Sequence, residues 1–510
     1  MTFSDFKQAP WKTSNPKYKQ SSLSILPAPE YASSEVLVAS LYRTIGYKEA
    51  AEGSVPQAGR NLDRKIQKLR DKSSGAPDGA TLKADTWHTV LHGVLESPKL
   101  PNQSSKRFLQ VTPLVPSVSR FSGSARLTTN SWPAGSLVRR MVWLGSEDYD
   151  SAYALWLELF KALSVDESDD VFARWLNMES EAWCEPSSWE PAPVSINDVA
   201  TLAKSDFDNI VFLPARQFTR DLRAIIQAKS AMTRRQWTSL LESVLRLAAT
   251  SHVFWLCDVQ ARIWRCLSDA YDKNHLPTES EARTKIFPVT PHYMTYGGKA
   301  LPGLRDLASS YLAARLGINA MLWSLEQVNA PFNGNLCSSS DIAALCEHIQ
   351  SNKAALAQAR MMETLADIRE SEARALNCRK GIGSNLLEFA RHALGQRQTA
   401  IHLLRGYDQG YILKKKGNSS SSPWIVSLGP VSVLALVHCA LFGMVGPRSI
   451  HRLAQHLEAY GIAVDRHDIA RNDLGRQLRM LGLVLDSPDA ESGMLLLPPF
   501  PATQNSSETV

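Results

Sequence analysis

Cysteine is scarce in this chain: Cys184, Cys257, Cys266, Cys337, Cys346, Cys378 and Cys439 are seven residues among 510, an odd number with no C-x-x-C pair. That argues against a disulfide framework or a zinc ribbon and predicts a reduced, cytoplasmic setting. No G-x-x-x-x-G-K-[ST] run is present, so the apparatus of a P-loop nucleotide hydrolase is missing, and Lys416-Gly417 does not supply it. H-E-x-x-H and G-x-S-x-G are also absent, and no zincin helix or nucleophile elbow is visible. The twelve histidines are scattered; His88 and His92 make an isolated four-residue step that lacks a third ligand in sequence. Asp63-Arg64-Lys65 has the short acid-to-lysine spacing of some nucleases, but on a charged helix it reads as solvated surface, and Asp78 has no following Glu-x-Lys strand. No catalytic residue, metal ligand or cofactor is assigned. A non-enzymatic role is expected, leaving only enzymes whose sites assemble from distant residues. No apolar run of membrane-span length stands out, the longest being Val431 to Val445, and the first twenty residues lack a signal-peptide core. No membrane partner is expected.

What is present is a core-forming chain: 44% of residues are hydrophobic, 21% are charged, and 13 are Trp. That is enough to build more than one domain. The net charge of +6, spread over this length, permits anionic partners without demanding them.

The C-terminal end carries the most informative pattern. Val431 to Phe442 is apolar nearly all round and predicts a buried first helix, broken at Gly443, Gly446 and Pro447. Ser449 can cap a second helix from about Ile450 to Tyr460, with Ile450, Leu453, Ala454 and Leu457 inward and Arg452, Gln455, His456 and Glu458 outward. Asp465, with Asp468 three residues on, predicts the start of a third helix running from about Arg466 to Leu481. Two short apolar runs, Leu483 to Leu485 and Met494 to Leu497, then flank a polar loop, as in a hairpin. This order describes a winged helix-turn-helix, in which the third helix would read DNA with Arg466, His467, Arg471, Asn472, Arg476 and Arg479. The hairpin loop contains Asp486, Asp489 and Glu491 and no Arg or Lys, which fits a phosphate backbone poorly. The same fold can therefore serve DNA contact or protein docking. Upstream, two short strands around Lys414, Lys415 and Lys416 offer a basic loop that can touch phosphates or simply be solvated.

A secondary basic patch is Arg216, Arg220 and Arg223, one face of a helix at steps of four and three, with Arg234-Arg235 opening the next helix. Asp206, Asp208 and Asp221 lie close in sequence, and salt bridges to them are the preferred reading. Trp255 and Trp264, at helical spacing with Phe254 and Ile263, are expected to pack helices rather than stack bases.

The fold class expected is mainly α, a multi-helical body with a C-terminal winged helix-turn-helix-like domain. Residues 1–33, rich in Lys, Ser and Pro, predict a flexible arm; 34–150 a mixed, mostly helical region with some short strands; 151–275 a helical bundle; and 276–303 a linker. Residues 304–405 predict a helical domain with one long spine helix over Ala354 to Ala375, 406–500 the winged-helix-like domain, and 501–510 a disordered tail. The function expected is a DNA-binding adaptor subunit of an intracellular multi-protein complex, by fold-level analogy a bacterial DNA-processing or anti-phage system. Its partners would be duplex DNA and other protein subunits. The alternative is a protein-binding scaffold with no DNA contact.

Overall fold

The computed structural model describes residues 2–26, 29, 34–48, 52–72, 75–97, 111–122, 132–185, 187–196, 199–397, 408–417, 419, 421–466, 468–486 and 494–500. The described chain is mainly helical, as its composition and periodicity imply. Its N-terminal end departs from the flexible arm expected of it. Helices α1 (Phe3–Gln8) and α2 (Pro16–Gln20) each begin with a side-chain cap, from Thr2 and Asn15. Phe6 enters a small core with Leu316, Ala320, Trp323, Leu365 and Ile368. The Asn15 amide donates to Asn319 Oδ1 at 2.7 Å, Trp11 Nε1 to Glu372 Oε2 at 2.8 Å, and Gln260 Nε2 to the Leu23 carbonyl at 2.9 Å. These residues line the body because their apolar side chains come singly at irregular spacing, a pattern that can bury each one yet gives no helical period.

Helix α3 (Ser34–Gly46) is buried on nearly every side and joins the main core. A second core lies under α4 (Val55–Arg70), α5 (Ala84–Thr89), the π-helical turn Val90–Val94 and α6 (Pro116–Ser119); within it Trp87 stacks on Trp183 with ring centroids 6.0 Å apart. Where short strands were expected within 98–144, the described residues form helices and connecting turns with one bridge, Glu96 to Val111; residues 98–110 and 123–131 lie outside the described set. The run continues through α7 (Ala134–Gly145), α8 (Tyr149–Leu163), α9 (Val171–Trp183) and α10 (Lys204–Asn209). Gly145 is required at the end of α7: a Cβ there would sit 2.1 Å from the Ala215 carbonyl oxygen.

Helix α11 (Pro214–Gln227) leads into α12 (Arg234–Lys273), 40 residues started by a Thr233–Gln236 capping box and stopped by Asn274 in the left-handed region at φ 54°. α12 is the molecule's axis. Against it pack α3, α11, α13 (Glu279–Ile286), α14 (Leu301–Gln327), α15 (Ser339–Ser351), α19 (Gly381–Leu394) and α20 (Pro430–Leu441). Among the described residues it is the one helix long and apolar enough to cross a membrane, and its apolar window is wholly buried by these neighbours. Trp255 packs in the core, as its spacing implies, and Trp264 packs against its edge.

Two expectations for the middle of the chain need correction. Residues 276–303 are not a bare linker, since they contain α13, capped by Thr278 and Glu281, and strand β1 (Met294–Thr295). The long spine over Ala354 to Ala375 is instead α16 (Lys353–Gln358), α17 (Met361–Ser371) and α18 (Ala373–Leu376), broken at Arg360 with φ 53°. Helix propensity there is high throughout, but it is a weak preference that packing overrides. Only Leu356, Met361, Leu365, Ile368 and Ala375 are buried in it, and the chain turns to lay them against the body.

The C-terminal region begins with the antiparallel pair β2 (Leu413–Lys415) and β3 (Trp424–Val426), then α20. After it come β4 (Arg448–Ser449), α21 (His451–Glu458), β5 (Ile462–Ala463), α22 (Asp473–Met480), β6 (Val484–Asp486) and β7 (Met494–Leu496). β4, β7 and β6 form an antiparallel sheet in that order, whereas β5 pairs in parallel with β1 of the body. The main core is continuous from Tyr18 to Leu496.

Within that core His252 is fully buried beside Trp255, and neither ring nitrogen has a hydrogen-bond partner. Burial first, then the Arg140 charge, pulls its pKa down from 6.5 to about 3. The unfolded chain therefore takes up this proton before the folded one, and stability falls as pH drops from 6.5 towards 3. The expected slope is about 1.4 kcal/mol per pH unit from this one group. His252→Leu is expected to remove that slope, seen as a smaller loss of melting temperature between pH 7 and pH 5 than in the parent. Equal losses in both proteins would show that the ring is not kept neutral.

Candidate nucleic-acid interface

Helix α22 is shorter than its apolar spacing suggests. Asn472 supplies its N-cap, its Oδ1 accepting from the amides of Leu474 and Gly475 at 2.9 and 3.2 Å, in place of the expected Asp465. Residues 468–471 are turns that cross the first helical turn so closely that a Cβ on Gly475 would meet the Ile469 carbonyl oxygen at 2.3 Å. Arg466 and Arg471 thus precede the helix, Asn472 caps it, and Arg476 and Arg479 lie on its exposed side, while Leu474 and Leu478 are buried. His467 is outside the described residues, as are residues 487–493 of the loop between β6 and β7 and the tail at 501–510.

Three of the four arginines already have a carboxylate. Arg466 pairs with Glu458 at 2.5 Å, Arg476 with Asp473 at 3.1 Å and Arg479 with Asp486 at 3.0 Å. Exposed pairs of this kind are worth about 0–1 kcal/mol, so a phosphate can displace them, but it must compete for each one. Arg471 is exposed and has no ion pair among the described residues.

The lysine hairpin is better placed. Lys414 lies opposite Ile425 in the β2–β3 pair, and Lys299 bridges the other edge of Ile425. Side chains level with one another across a sheet share a face, and so do alternate residues along a strand. Lys299, Lys414 and Lys416 are accordingly exposed on one side, whereas Lys415 turns to the other and lies 5.7 Å from the Trp424 ring centroid. Lys299 escaped the sequence reading because its neighbour in space is more than a hundred residues away in sequence and its own segment is rich in Gly and Pro. The segment carrying it also ties the hairpin to β5, which follows α21: the Tyr296 amide donates to the Ala463 carbonyl at 2.9 Å and the Gly297 amide to the Val426 carbonyl at 2.8 Å.

The secondary patch behaves differently from its expected salt-bridged form. Asp206 is buried and serves Arg283 and Ser339, and Asp221 is buried against His456 and Tyr460. Arg216 is spent on the carbonyls of Ile210 and Phe207 and lies over the Phe207 ring, its pKa lowered by burial first and by the Arg220 charge second. Arg220 is exposed, Arg223 is half-buried, and neither has an ion pair among the described residues. Arg234, next in the basic sequence, is 2% exposed and holds Asp169, the Tyr42 hydroxyl and the carbonyls of Leu114, Ala162, Leu163 and Ser164. It is a structural pin. His456, expected on the outer face of α21, is buried as well, because α11 covers that side.

All seven cysteines are free, and no group of three or more His, Cys, Asp or Glu among the described residues is placed to hold a metal ion. His88 and His92 stack 4.4 Å apart, with Asp63 at 3.7 Å from His92. The Asp63 carboxylate raises the His92 pKa, whereas burial and the His92 charge lower that of His88. No protein-family model matches the sequence, and a search of curated proteins finds no significant relative.

Proposed function

We propose that residues 430–497 form a winged helix-turn-helix and that the protein is a non-enzymatic adaptor, engaging duplex DNA through this end and other protein subunits through its helical body. The observation that supports this reading is the C-terminal order α20, β4, α21, β5, α22, β6, β7 with β7 lying between β4 and β6 and β5 paired to β1 of the body. On this reading α21 and α22 are the helix-turn-helix and β6–β7 the wing. The exposed cations beside it, Lys299, Lys414, Lys416 and Arg471, which make no ion pair among the described residues, supply phosphate contacts, which position a duplex without reading its sequence.

Anisotropy titrations of a labelled duplex between about 50 and 200 mM salt test this, since each neutralised phosphate adds about 0.9 to the slope of log affinity against log salt. Replacing Lys299, Lys414, Lys416 and Arg471 together by Ala is expected to reduce that slope by up to about 3–4 units. Arg476→Ala and Arg479→Ala should each do less, because those guanidiniums start out paired. Affinity that ignores salt, or a slope unchanged in the fourfold variant, would remove DNA from the proposal.

A second reading has its own observation. Met480, Leu481 and Leu485 are 72%, 37% and 48% exposed at the end of α22 and on β6, where a DNA reader would carry polar groups. An apolar triplet suits a protein surface. The absence of duplex binding at any salt would leave this scaffold role in place of the first.

A further inference from the structure

Helix α11 of the body and helix α21 of the C-terminal region share a cavity of about 340 Å³, completed by the end of α20 and the loop after it. Arg220 and Arg223 line it from α11 and Arg452 from α21, and no carboxylate does. The acid adjacent to these arginines in sequence, Asp221, is turned inward: its Oδ1 accepts from Gln217 at 2.8 Å, and its Oδ2 accepts from the Tyr460 hydroxyl at 2.7 Å and lies 3.0 Å from His456 Nε2. Among the described residues Arg452 reaches the uncharged Gln455 Oε1 and Met444 Sδ, each at 3.5 Å. Three cations thus converge without an ion pair among the described residues, the acids Glu147 and Asp208 lining the adjoining cavity instead, and such an arrangement's mutual repulsion grows as water is excluded. An anion carrying two or more charges relieves it, and guanidinium forks match phosphate oxygens in pairs. Beside the charges, Phe442 and Met444 give an apolar wall and Gln455 a carboxamide. The volume falls in the ordinary range for small-molecule sites.

We propose that this cavity binds a phosphate ester of nucleotide size, its phosphoryl group on Arg220, Arg223 and Arg452 and its ring against Phe442 and Met444. Such a ligand joins the body to the helix-turn-helix, because its anchors come from both. Arg220 and Arg223 also line a second cavity of about 430 Å³ with Arg216, but Glu147 and Asp208 line that one too, so the phosphoryl group belongs in the first. The phosphoryl group belongs either to a free nucleotide or to the backbone of bound DNA. This site is separate from the lysine edge, and the two fail independently.

Isothermal titration of the full chain with ATP, AMP and inorganic pyrophosphate, beside duplex titrations, separates the sources. Each charge-assisted contact removed is expected to weaken binding about tenfold. Arg220→Ala/Arg223→Ala should therefore lose about a hundredfold and Arg452→Gln about tenfold. Melting temperature should hold or rise in all three positions' variants, because no ion pair is broken; Arg220→Gln serves if the double variant folds poorly. ATP or pyrophosphate binding lost in these variants supports a free ligand. No such binding, with duplex affinity falling in the same variants while the lysine variants act separately, assigns the phosphate to DNA. If neither nucleotide, pyrophosphate nor duplex affinity responds to these arginines, the site does not exist.

Discussion

Arg246→Met is expected to cost about 3–5 kcal/mol of stability, the scale on which removing one partner of a buried ion pair strands the other. Arg246 and Asp408 have side chains 0% exposed and meet at 2.8 Å, with Glu242 at 3.6 Å. The same guanidinium donates to the carbonyls of Ala393 at 2.6 Å, Leu394 at 3.4 Å and Gly395 at 2.9 Å. These carbonyls close α19, where backbone acceptors lack partners inside the helix and the helix end favours a cation. Methionine fills the volume but withdraws the balancing charge from Asp408 and the guanidinium donors from the three carbonyls. Arg246→Met/Asp408→Asn is expected to recover about half of the loss, because the stranded charge is gone while the Arg397 amide, which donates to Asp408 at 2.8 Å, keeps an acceptor. Denaturant melts at neutral pH measure both. A loss below about 1 kcal/mol, the value of an exposed pair, would mean that water reaches Asp408.

Buried arginines of this kind show where the sequence stops being legible. The apolar stripes of α8, α11, α12 and α14 can be read from their spacing, as can the order of short elements after Leu428, because these depend on neighbours within a few residues. Arg234 and Arg246 look like ordinary surface cations on a helix, and nothing local distinguishes them from Arg220 and Arg223. What decides their fate is what lies opposite: Asp169 and Asp408 close the first two into ion pairs, whereas the others open on cavities and make no ion pair among the described residues. The pairing of β1 with β5 joins residues more than 160 positions apart and has no local signal. Helix α22 was over-extended because Ile469 shares its apolar spacing with Leu474 and Leu478, although the chain turns between them. The arginines along the expected reading helix are thus the more neutralised set, whereas Arg220 and Arg223 of the patch expected to be salt-bridged make no ion pair among the described residues.

Cutting the chain after Gly406 is expected to abolish cooperative folding rather than to release a trimmed body. The excised part is not a separate module. Ile412, Leu413, Val426, Leu428, Val433 and Leu436 are each 0–1% exposed within the main core. At about 1.5–3 kcal/mol per side chain these six alone match the whole net stability of a typical domain, about 5–15 kcal/mol. Polar ties go with them: Ser432 Oγ lies 2.8 Å from Ser243 Oγ, His438 Nε2 lies 3.1 Å from the Ala224 carbonyl, and Tyr460 and Asp408 satisfy Asp221 and Arg246. The fragment 408–510 should fare no better, since α20 would expose the face that α11 and α12 now cover. Circular dichroism melts and size-exclusion chromatography of the two pieces are expected to show broad or absent transitions and aggregation. Two monodisperse fragments with sharp transitions would establish an autonomous C-terminal domain after all. If the pieces fail as expected, DNA contact must be tested by point substitution in the full chain, and any force or ligand acting on α21 and α22 is felt directly by α11, with which they share a core.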